Sequence, residues 1–224
     1  MRSVLDGEDS MRRIGVFNNV TVDGFFAGPH GEIDWFKVNK DDEFDEFSRQ
    51  QSQSGDAVIF GRKTYELMKS YWPTPEAIRD NPAMAGVMNN IQKIVFSRTL
   101  QSVEEGPHWK NIKLFHEIRP EEIIKLKEQG GKGIAILGSG SIVQQLSNLG
   151  LIDEYILQVN PVILGAGKSL FADVNRMTLK LLEARTFKME SSGSATSRKN
   201  DAGLKSGKQH VLKRHPAAAR YHFS

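Results

Sequence analysis

Three segments of the sequence combine glycine, hydroxyl or cationic side chains directly after a short apolar run. They are Gly61-Arg62-Lys63-Thr64 after residues 58–60, Ser97-Arg98 after residues 94–96, and Gly138-Ser139-Gly140-Ser141 after residues 134–137. Glycine allows close approach to the backbone and a helix start offers free amides, so the first and third segments suit phosphate groups. A hydroxyl beside a guanidinium suits a phosphate monoester, because the planar guanidinium binds two oxygens at once. Taken singly, each segment also fits an ordinary solvated helix start or a surface arginine.

Acidic residues near the start of the chain form a second group of candidates. Asp23 follows an apolar run, and Glu32 and Asp34 lie just before Trp35. A carboxyl group packed against aromatic surface can have its ionised form disfavoured, which suits proton delivery to a substrate nitrogen or oxygen. The alternative is that these acids belong to ordinary turns such as Asp23-Gly24.

Several kinds of catalytic centre are excluded by what the sequence lacks. There is no cysteine, which rules out disulfides, thiolate zinc sites, iron–sulfur clusters and a cysteine nucleophile. The six histidines form no HExxH motif, so we expect no metal centre. No G-x-S-x-G motif is present, which argues against an α/β-hydrolase. Residues 138–141 lack the third glycine of a Rossmann fingerprint, and residues 165–169 lack the first glycine of a P-loop.

Short strands and longer helices alternate along the chain between about residues 11 and 189. Runs rich in β-branched or aromatic residues predict strands at residues 14–22, 57–60, 93–96, 112–115, 133–137, 153–159 and 179–188. Start signals and helical spacing predict helices at residues 42–51 and from residues 65, 82, 120 and 142. This alternation predicts an α/β domain. Open sheets bind ligands at the carboxyl ends of their strands, which is where the three polar segments fall.

The two ends of the chain differ from this pattern. Residues 1–10 are polar, and we expect a disordered extension before a folded domain at residues 11–190. Residues 191–224 hold seven cationic side chains and one acidic side chain without an apolar period, which predicts a basic, disordered tail. No apolar run approaches the length of about 20 residues that a membrane-spanning helix needs, and the first residues do not resemble a signal peptide. We therefore expect a cytoplasmic protein without a membrane partner.

Together, the motifs resemble the dihydrofolate reductase superfamily. The segments FNNVTVDGFFAG, GEIDWF, VIFGRKTYE, KIVFSRTL and IAILGSGSIVQQL with GLIDEYIL occur in this order between about residues 11 and 188. The closer likeness is to stand-alone proteins similar to the RibD C-terminal domain, the reductase half of bifunctional riboflavin-biosynthesis enzymes. This resemblance implies a dihydrofolate reductase-like α/β fold with a twisted, mostly parallel central sheet and helices on both faces. It also implies NADPH as cofactor and a homodimer.

The resemblance assigns roles to individual residues. The cofactor phosphates would be held by Gly61, Arg62, Lys63 and Thr64, and the adenosine 2′-phosphate by Ser97 and Arg98. The pyrophosphate would be wrapped by Gly138, Ser139, Gly140, Ser141 and Ile142, and the nicotinamide would lie beside Asn19. For the proton donor, the dihydrofolate reductase pattern points to Glu32 or Asp34, whereas the riboflavin-reductase pattern points to Asp23.

The function implied is an NADPH-dependent reductase that transfers hydride to a C=N or C=O bond of a small substrate. The substrate would be pterin-, pyrimidine- or ribosylaminopyrimidine-like, as for a 5-amino-6-(5-phosphoribosylamino)uracil reductase. One alternative is a nucleotide-binding protein without turnover on the same scaffold. A weaker alternative is nucleic-acid binding through the basic tail, which has few aromatic platforms.

One part of the sequence departs from the family pattern. Family members continue after the segment at residues 181–187 into a short apolar final strand that ends near an Arg-Tyr pair. This chain instead turns at about Lys188 into the polar tail. We therefore expect the final strand to be missing and one edge of the sheet to be unpaired.

Overall fold

Strands and helices alternate in this computed structural model, which describes residues 11–35, 42–187 and 217–223. The strands are β1 Ile14–Thr21, β2 Phe25–Ala27, β3 Gly55–Gly61, β4 Gln92–Phe96, β5 Ile112–Phe115, β6 Gly133–Leu137, β7 Glu154–Asn160, β8 Lys168–Ser169, β9 Leu179–Thr186 and β10 Ala217–Phe223. The helices are α1 Asp42–Gln53, α2 Arg62–Tyr71, α3 Pro75–Asp80, α4 Pro82–Asn90, α5 Pro120–Glu128 and α6 Gly140–Asn148. All the predicted strands are present, and their ends lie close to the expected positions.

Eight of the strands form one sheet, in the order β5-β4-β3-β6-β1-β7-β10-β9. The first six strands run parallel to their neighbours, whereas β10 runs antiparallel to both β7 and β9. Parallel neighbours need long crossover connections, and the helices supply most of them. A separate ribbon is formed by β2 and β8, which pair antiparallel. This arrangement confirms the predicted α/β fold with a mostly parallel central sheet.

Helices cover both faces of the sheet, because alternate residues of its strands point into different clusters. On one face, α5 and α6 pack Ile123 and Val143 against the central strands. On the opposite face, α2 and α4 pack Tyr65 and Met88 against β3, and α1 packs Phe47 against β7 and β10. Most residues of β3 and β4 are buried, which explains why these strands are continuous apolar runs in the sequence.

The final strand is present, so the expectation of an unpaired edge next to β7 is wrong. β10 lies between β7 and β9, and Arg220-Tyr221 within it supplies the Arg-Tyr pair. The sequence conceals this strand because it opens on three alanines, which have weak β-propensity, and because residues 188–216 separate it from β9. The expected disorder of residues 1–10 and 191–216 lies outside the described residues.

Three short elements, β2, β8 and α3, are not predicted from the sequence. Helix α3 has Pro75 at its first position and follows Thr74, whose hydroxyl accepts a hydrogen bond from the Ala77 amide. Thr-Pro is a helix-start signal, so this helix could have been found. β2 and β8 are too short for periodicity to detect. They pair because Gly167 lies so close to β2 that a Cβ there would meet the Ala27 carbonyl oxygen at 2.5 Å.

Candidate functional site

The three polar segments lie next to one another at one edge of the sheet. The strands that precede them, β4, β3 and β6, are consecutive neighbours and run parallel. All three therefore end on the same side, which we call the carboxyl rim, defined as the edge where β1, β3, β4, β6 and β7 end. The opposite edge, where these strands begin, is the amino rim. The predicted meeting of the segments follows directly from this topology.

Hydrogen bonds tie the segments together at the carboxyl rim. The Ser139 hydroxyl oxygen accepts a hydrogen bond from the Gly61 amide at 2.7 Å and lies 2.9 Å from the hydroxyl oxygen of Thr64. On the other side, the Arg62 guanidinium donates to the Thr99 hydroxyl at 3.1 Å. The loops after β3, β4 and β6 therefore form one connected surface.

Glycine is required at this surface because the loops pack so closely. A Cβ added to Gly61 would lie 2.7 Å from the Ser139 hydroxyl oxygen. Gly138 has a φ of 60°, and a Cβ there would lie 2.9 Å from the Thr64 hydroxyl oxygen. A Cβ on Gly140 would lie 2.6 Å from the Phe26 ring. Each of these contacts leaves no room for a side chain, so the backbone itself forms the surface.

Two helices begin at the carboxyl rim without a capping side chain. α2 follows Gly61 and α6 follows Ser139, and neither residue caps its helix. Ser139 adopts a left-handed conformation, and its hydroxyl turns toward Gly61 instead of toward the amides of α6. The amides at both helix starts therefore attract an anion through their hydrogen-bonding capacity and the helix dipole. Lys63 and Arg62 are exposed beside them.

Ser97 and Arg98 differ in their availability to a ligand. Ser97 is buried, and its hydroxyl oxygen accepts hydrogen bonds from the amides of Leu100 at 3.0 Å and Thr99 at 3.3 Å. The serine therefore shapes a turn, and the turn leaves Arg98 exposed at the rim. An exposed guanidinium at this position can bind a phosphate.

Carboxamide side chains line the centre of the sheet below the rim. Asn18 is buried and accepts a hydrogen bond from the Gly138 amide at 3.0 Å. Asn19 accepts one from the side chain of Asn160 at 3.1 Å. Gln158 pairs with Asn19 in the β1–β7 register and is only 2% exposed, yet its side-chain oxygen has no hydrogen-bond partner.

A cavity of about 850 Å³ lies between the sheet and the helices α1 and α4, within the size range of ligand sites. Near the carboxyl rim its lining includes Asn19, Gly138 and Gln158. Trp35 also lines this cavity, and its indole N–H is likewise buried without a partner. Both polar atoms are covered by protein, so a ligand in the cavity reaches the Gln158 acceptor and the Trp35 donor only when these side chains rotate. Gln158 is not among the residues predicted from the sequence, although a glutamine between the apolar residues Leu157 and Val159 of β7 is a recognisable signal.

Asp23 is held by the loop opposite it and does not line the cavity. Its carboxylate accepts hydrogen bonds from the Thr21 hydroxyl at 2.6 Å and the Gly165 amide at 2.8 Å. These hydrogen bonds, that from Thr21 foremost, lower the pKa of Asp23. The expectation of a disfavoured ionised form is wrong for this residue, because it is exposed and hydrogen-bonded.

Glu32 and Asp34 are also exposed and do not line the cavity. The Glu32 carboxylate accepts a hydrogen bond from the His30 amide at 2.9 Å. Hydrogen bonds from its own amide and from that of His30 lower the pKa of Glu32, so the expectation of a disfavoured ionised form is wrong here too. The structure therefore places the three candidate acids outside the described cavity.

In the ranges that the structure describes, no cluster of three or more histidine, aspartate or glutamate side chains could hold a metal ion. Among the helices of those same ranges, none is long and apolar enough to cross a membrane.

Comparison with known proteins identifies relatives in sequence. A family model described as the RibD C-terminal domain matches residues 12–191. The chain is 37% identical over 177 residues to the Bacillus subtilis (strain 168) protein named "Uncharacterized protein YyaP", across 79% of this chain and 89% of that protein. These matches confirm the resemblance drawn from the motifs.

Solved structures are similar to this chain in fold. The Thermotoga maritima diaminohydroxyphosphoribosylaminopyrimidine deaminase/5-amino-6-(5-phosphoribosylamino)uracil reductase matches with a TM-score of 0.59 and 14% identity, over 96% of this chain and 57% of its own. Dihydrofolate reductase from Enterococcus faecalis, complexed with NADP(H) and RAB-propyl, matches with a TM-score of 0.55 and 13% identity, over 94% of this chain and 96% of its own. At these identities the similarity shows the fold alone.

Proposed function

Since this chain belongs to the RibD C-terminal domain family, we propose that it is an NADPH-dependent reductase that transfers hydride to a C=N or C=O bond of a small heterocyclic substrate. The observation that carries the proposal is the pair of uncapped helix starts, α2 and α6, beside a cavity whose lining includes Gly138. Anion-binding amides beside a ligand-sized cavity suit a phosphorylated cofactor and a second ligand.

The residues at the carboxyl rim fit the phosphates of such a cofactor. The amides of Gly140 and Ser141 at the start of α6 would hold the pyrophosphate together with those of α2, and Lys63 would add positive charge. The Ile142 amide already donates to the Ser139 carbonyl oxygen at 2.8 Å, so Ile142 would contribute through packing beside the phosphates. Gly61 and Gly138 would let the cofactor approach the backbone, because side chains at these positions would collide with neighbouring hydroxyls. When bound, NADPH supplies the hydride.

The preference for NADPH over NADH would depend on Arg98. This guanidinium is exposed where the turn built by Ser97 ends, and it would bind the adenosine 2′-phosphate. The neighbouring Arg62 is oriented by its hydrogen bond to Thr99 and would add a second cation. Ser97 itself would contribute through the turn, because it is buried and its hydroxyl oxygen holds the amides of Thr99 and Leu100.

The substrate would lie in the cavity next to the nicotinamide, which Asn19 would adjoin. The unpartnered acceptor of Gln158 and the unpartnered donor of Trp35 suit a ring that carries both an N–H group and an acceptor atom. Pterins, pyrimidines and ribosylaminopyrimidines all have such edges. The reductase activity in the name of the Thermotoga maritima protein belongs to the same chemical class.

The candidate proton donors are Asp23, Glu32 and Asp34, all exposed. Asp23 is better suited to positioning, because its carboxylate binds the amides of Leu164 and Gly165 and its pKa is lowered. A proton donor instead needs a pKa near the working pH. We propose that solvent at the cavity mouth supplies the proton and that Asp23 holds the loop.

Titration of the full chain with NADPH and NADH, followed by nicotinamide fluorescence, tests the proposal. Tighter binding of NADPH is the expected result. Failure of both to bind the folded protein would overturn the proposed function, whereas equal affinity would overturn only the role of Arg98. Light scattering of the same samples checks the proposed homodimer, and fractionation of cells checks the expected cytoplasmic location.

A second candidate function is nucleotide binding without turnover. Within the described residues, the carboxylate that lines the cavity is Glu154, and it is ion-paired with Arg220 at 3.2 Å. A cavity without a free acid favours binding over chemistry that needs a side-chain proton donor. NADPH oxidation across pterin, ribosylaminopyrimidine and quinone-like substrates decides between the two. Binding without oxidation would support this second function.

A further inference from the structure

The cavity does not end below the carboxyl rim but continues across the sheet to the amino rim. Near the carboxyl rim it is lined by Asn19 and Gln158, and near the amino rim by Arg13, Lys132 and Glu154. Gln158 and Glu154 lie four positions apart along β7, which corresponds to about 13 Å along the strand. The cavity is therefore longer than one heterocycle.

Small residues in the sheet create this length. Gly15 and Ala135 lie side by side in β1 and β6 and line the cavity, where neighbouring positions carry Phe17 and Leu137. A Cβ on Gly15 would meet a single atom, the Glu154 carbonyl oxygen, at 4.0 Å. Gly15 has an ordinary backbone conformation, so neither close packing nor a positive φ requires glycine there. The missing side chain leaves space that a flat apolar body would fill.

Cationic groups mark the end of the cavity at the amino rim. The Arg220 guanidinium contacts the Glu154 carboxylate through Nε at 3.2 Å and donates to the Gln51 side-chain oxygen through Nη2 at 3.2 Å. These two contacts fix the orientation of the guanidinium. Arg13 is exposed on the same face, two residues before Gly15. Three cationic side chains and one carboxylate line this end, so its charge is positive.

We propose that the end of the cavity at the amino rim is an anion-binding subsite formed by Arg13 and Arg220. Its ligand is an elongated molecule with an apolar or heteroaromatic body on Gly15 and a carboxylate or phosphate end group at the two arginines. A guanidinium that is already oriented binds such a group with less loss of side-chain freedom. The subsite is separate from the carboxyl rim, where the proposed function would place the cofactor phosphates. Only its identity as part of the reductase substrate site rests on the proposed function.

A matched pair of fluorescent probes tests the subsite on the full chain. 8-Anilinonaphthalene-1-sulfonate carries an apolar body and an anionic group, whereas N-phenyl-1-naphthylamine has the same body without the charge. The sulfonate should bind more tightly, and its advantage should shrink as salt is added. Displacement of the sulfonate probe by decanoate or by decyl phosphate then distinguishes a carboxylate site from a phosphate site.

Substitutions that remove either a cation or the carboxylate of the subsite test the role of charge in binding. Arg13→Gln should weaken binding of the sulfonate probe by about tenfold, as expected for one charged hydrogen bond, and leave the neutral probe unchanged. Glu154→Gln should strengthen sulfonate binding, because it removes the one carboxylate. Arg79→Gln is the matched control, since Arg79 is exposed on α3, outside the cavity. Gly15→Leu, or Ala135→Leu if the first variant does not fold, should remove binding of both probes by filling the cavity.

The outcomes separate this proposal from the proposed function. Equal binding of the two probes, no probe binding, or equal effects of Arg13→Gln and Arg79→Gln would each overturn the anion subsite. Probe binding that survives both cavity-filling variants would overturn it as well, because the probe would then lie elsewhere. NADPH titration of the same samples reports on the carboxyl rim alone. If the unaltered chain does not bind NADPH, the proposed function is overturned, whereas the proposal of an anion subsite is unaffected.

Discussion

Replacing Gln158 with leucine is expected to stabilise the free protein and impair its ligand binding. Gln158 is 2% exposed, and its side-chain oxygen has no hydrogen-bond partner within the described structure. A residue kept for packing would not hold a buried acceptor without a donor. A residue that serves a ligand can hold such an unpartnered acceptor, because the ligand supplies the donor when it binds. The two roles therefore predict opposite signs for the change in stability.

The size of the change in the free energy of unfolding follows from the missing hydrogen bond to the Gln158 side-chain oxygen. An unsatisfied buried acceptor costs about 1–3 kcal/mol. We take the lower end of this range as the expected change. Gln158→Leu should thus raise the free energy of unfolding by about 1 kcal/mol, and the melting temperature by roughly 2–4 °C for a chain of this size.

Urea unfolding of Gln158→Leu and of a matched glutamine variant measures the effect. Gln144 on α6 donates to the carbonyl oxygens of Ser169 at 3.2 Å and Leu170 at 3.3 Å, so Gln144→Leu should lower stability by about 1 kcal/mol. Binding is followed with lumazine and with 1,3-dimethyllumazine, which lacks the ring N–H groups. The unaltered chain should prefer lumazine, and Gln158→Leu should remove the preference. Destabilisation of both variants to the same extent would refute the reasoning.

Three further substitutions test the rim and the core. Arg98→Ala should weaken NADPH binding more than NADH binding, by roughly 1.5–3 kcal/mol, and an unchanged preference in fluorescence titrations contradicts its role. Gly61→Ala should lower NADPH affinity and melting temperature because its methyl group would stand 2.7 Å from the Ser139 hydroxyl oxygen, whereas Gly86→Ala, with open space around it, should not. Burial lowers the pKa of Lys93 from 10.5 to about 8. As the pH rises, the folded chain therefore releases this proton at a lower pH than the unfolded chain does. Stability relative to Lys93→Met should therefore rise between about pH 8 and 10.5, by roughly 3 kcal/mol in urea unfolding at stepped pH, and a flat difference would contradict this.

The meeting of the polar segments could be predicted from the sequence because it depends on topology alone. Strands that run parallel end at one rim, so any polar group directly after each strand lies there. The hydrogen-bond partner of each group could not be predicted in the same way. The hydroxyl of Ser139 is occupied by Gly61, which lies far from it in the sequence. The sequence suggests Ser97 as a phosphate ligand, but in the structure its hydroxyl oxygen accepts hydrogen bonds from two local amides.

The candidate acids show the same limit more sharply. Asp23 follows a strand and lies near aromatic residues, a local pattern that suits a carboxyl group with a raised pKa. In the structure the Thr21 hydroxyl, foremost, and the Gly165 amide, from a distant part of the chain, both donate to its carboxylate and lower its pKa. Gln158 shows the converse case, since its lack of a partner emerges only when β1 and β7 are paired. Partners that come from elsewhere in the chain leave no local pattern, so pKa direction and hydrogen-bond saturation need coordinates.

The connection between β9 and β10 offers a final prediction, because the two strands are antiparallel neighbours. Thr186 pairs with Ala217, so a two-residue turn can join Phe187 to Pro216. Replacing residues 188–215 with Asn-Gly should keep the fold and NADPH binding. Shortening this connection should also raise stability by about 2 kcal/mol, because closing a shorter connection costs less entropy. This variant retains Arg220 but removes the other cations of the basic tail. Loss of nucleic-acid retention would support the basic-tail alternative, whereas a melting temperature below that of the full chain would show that residues 188–215 stabilise the fold.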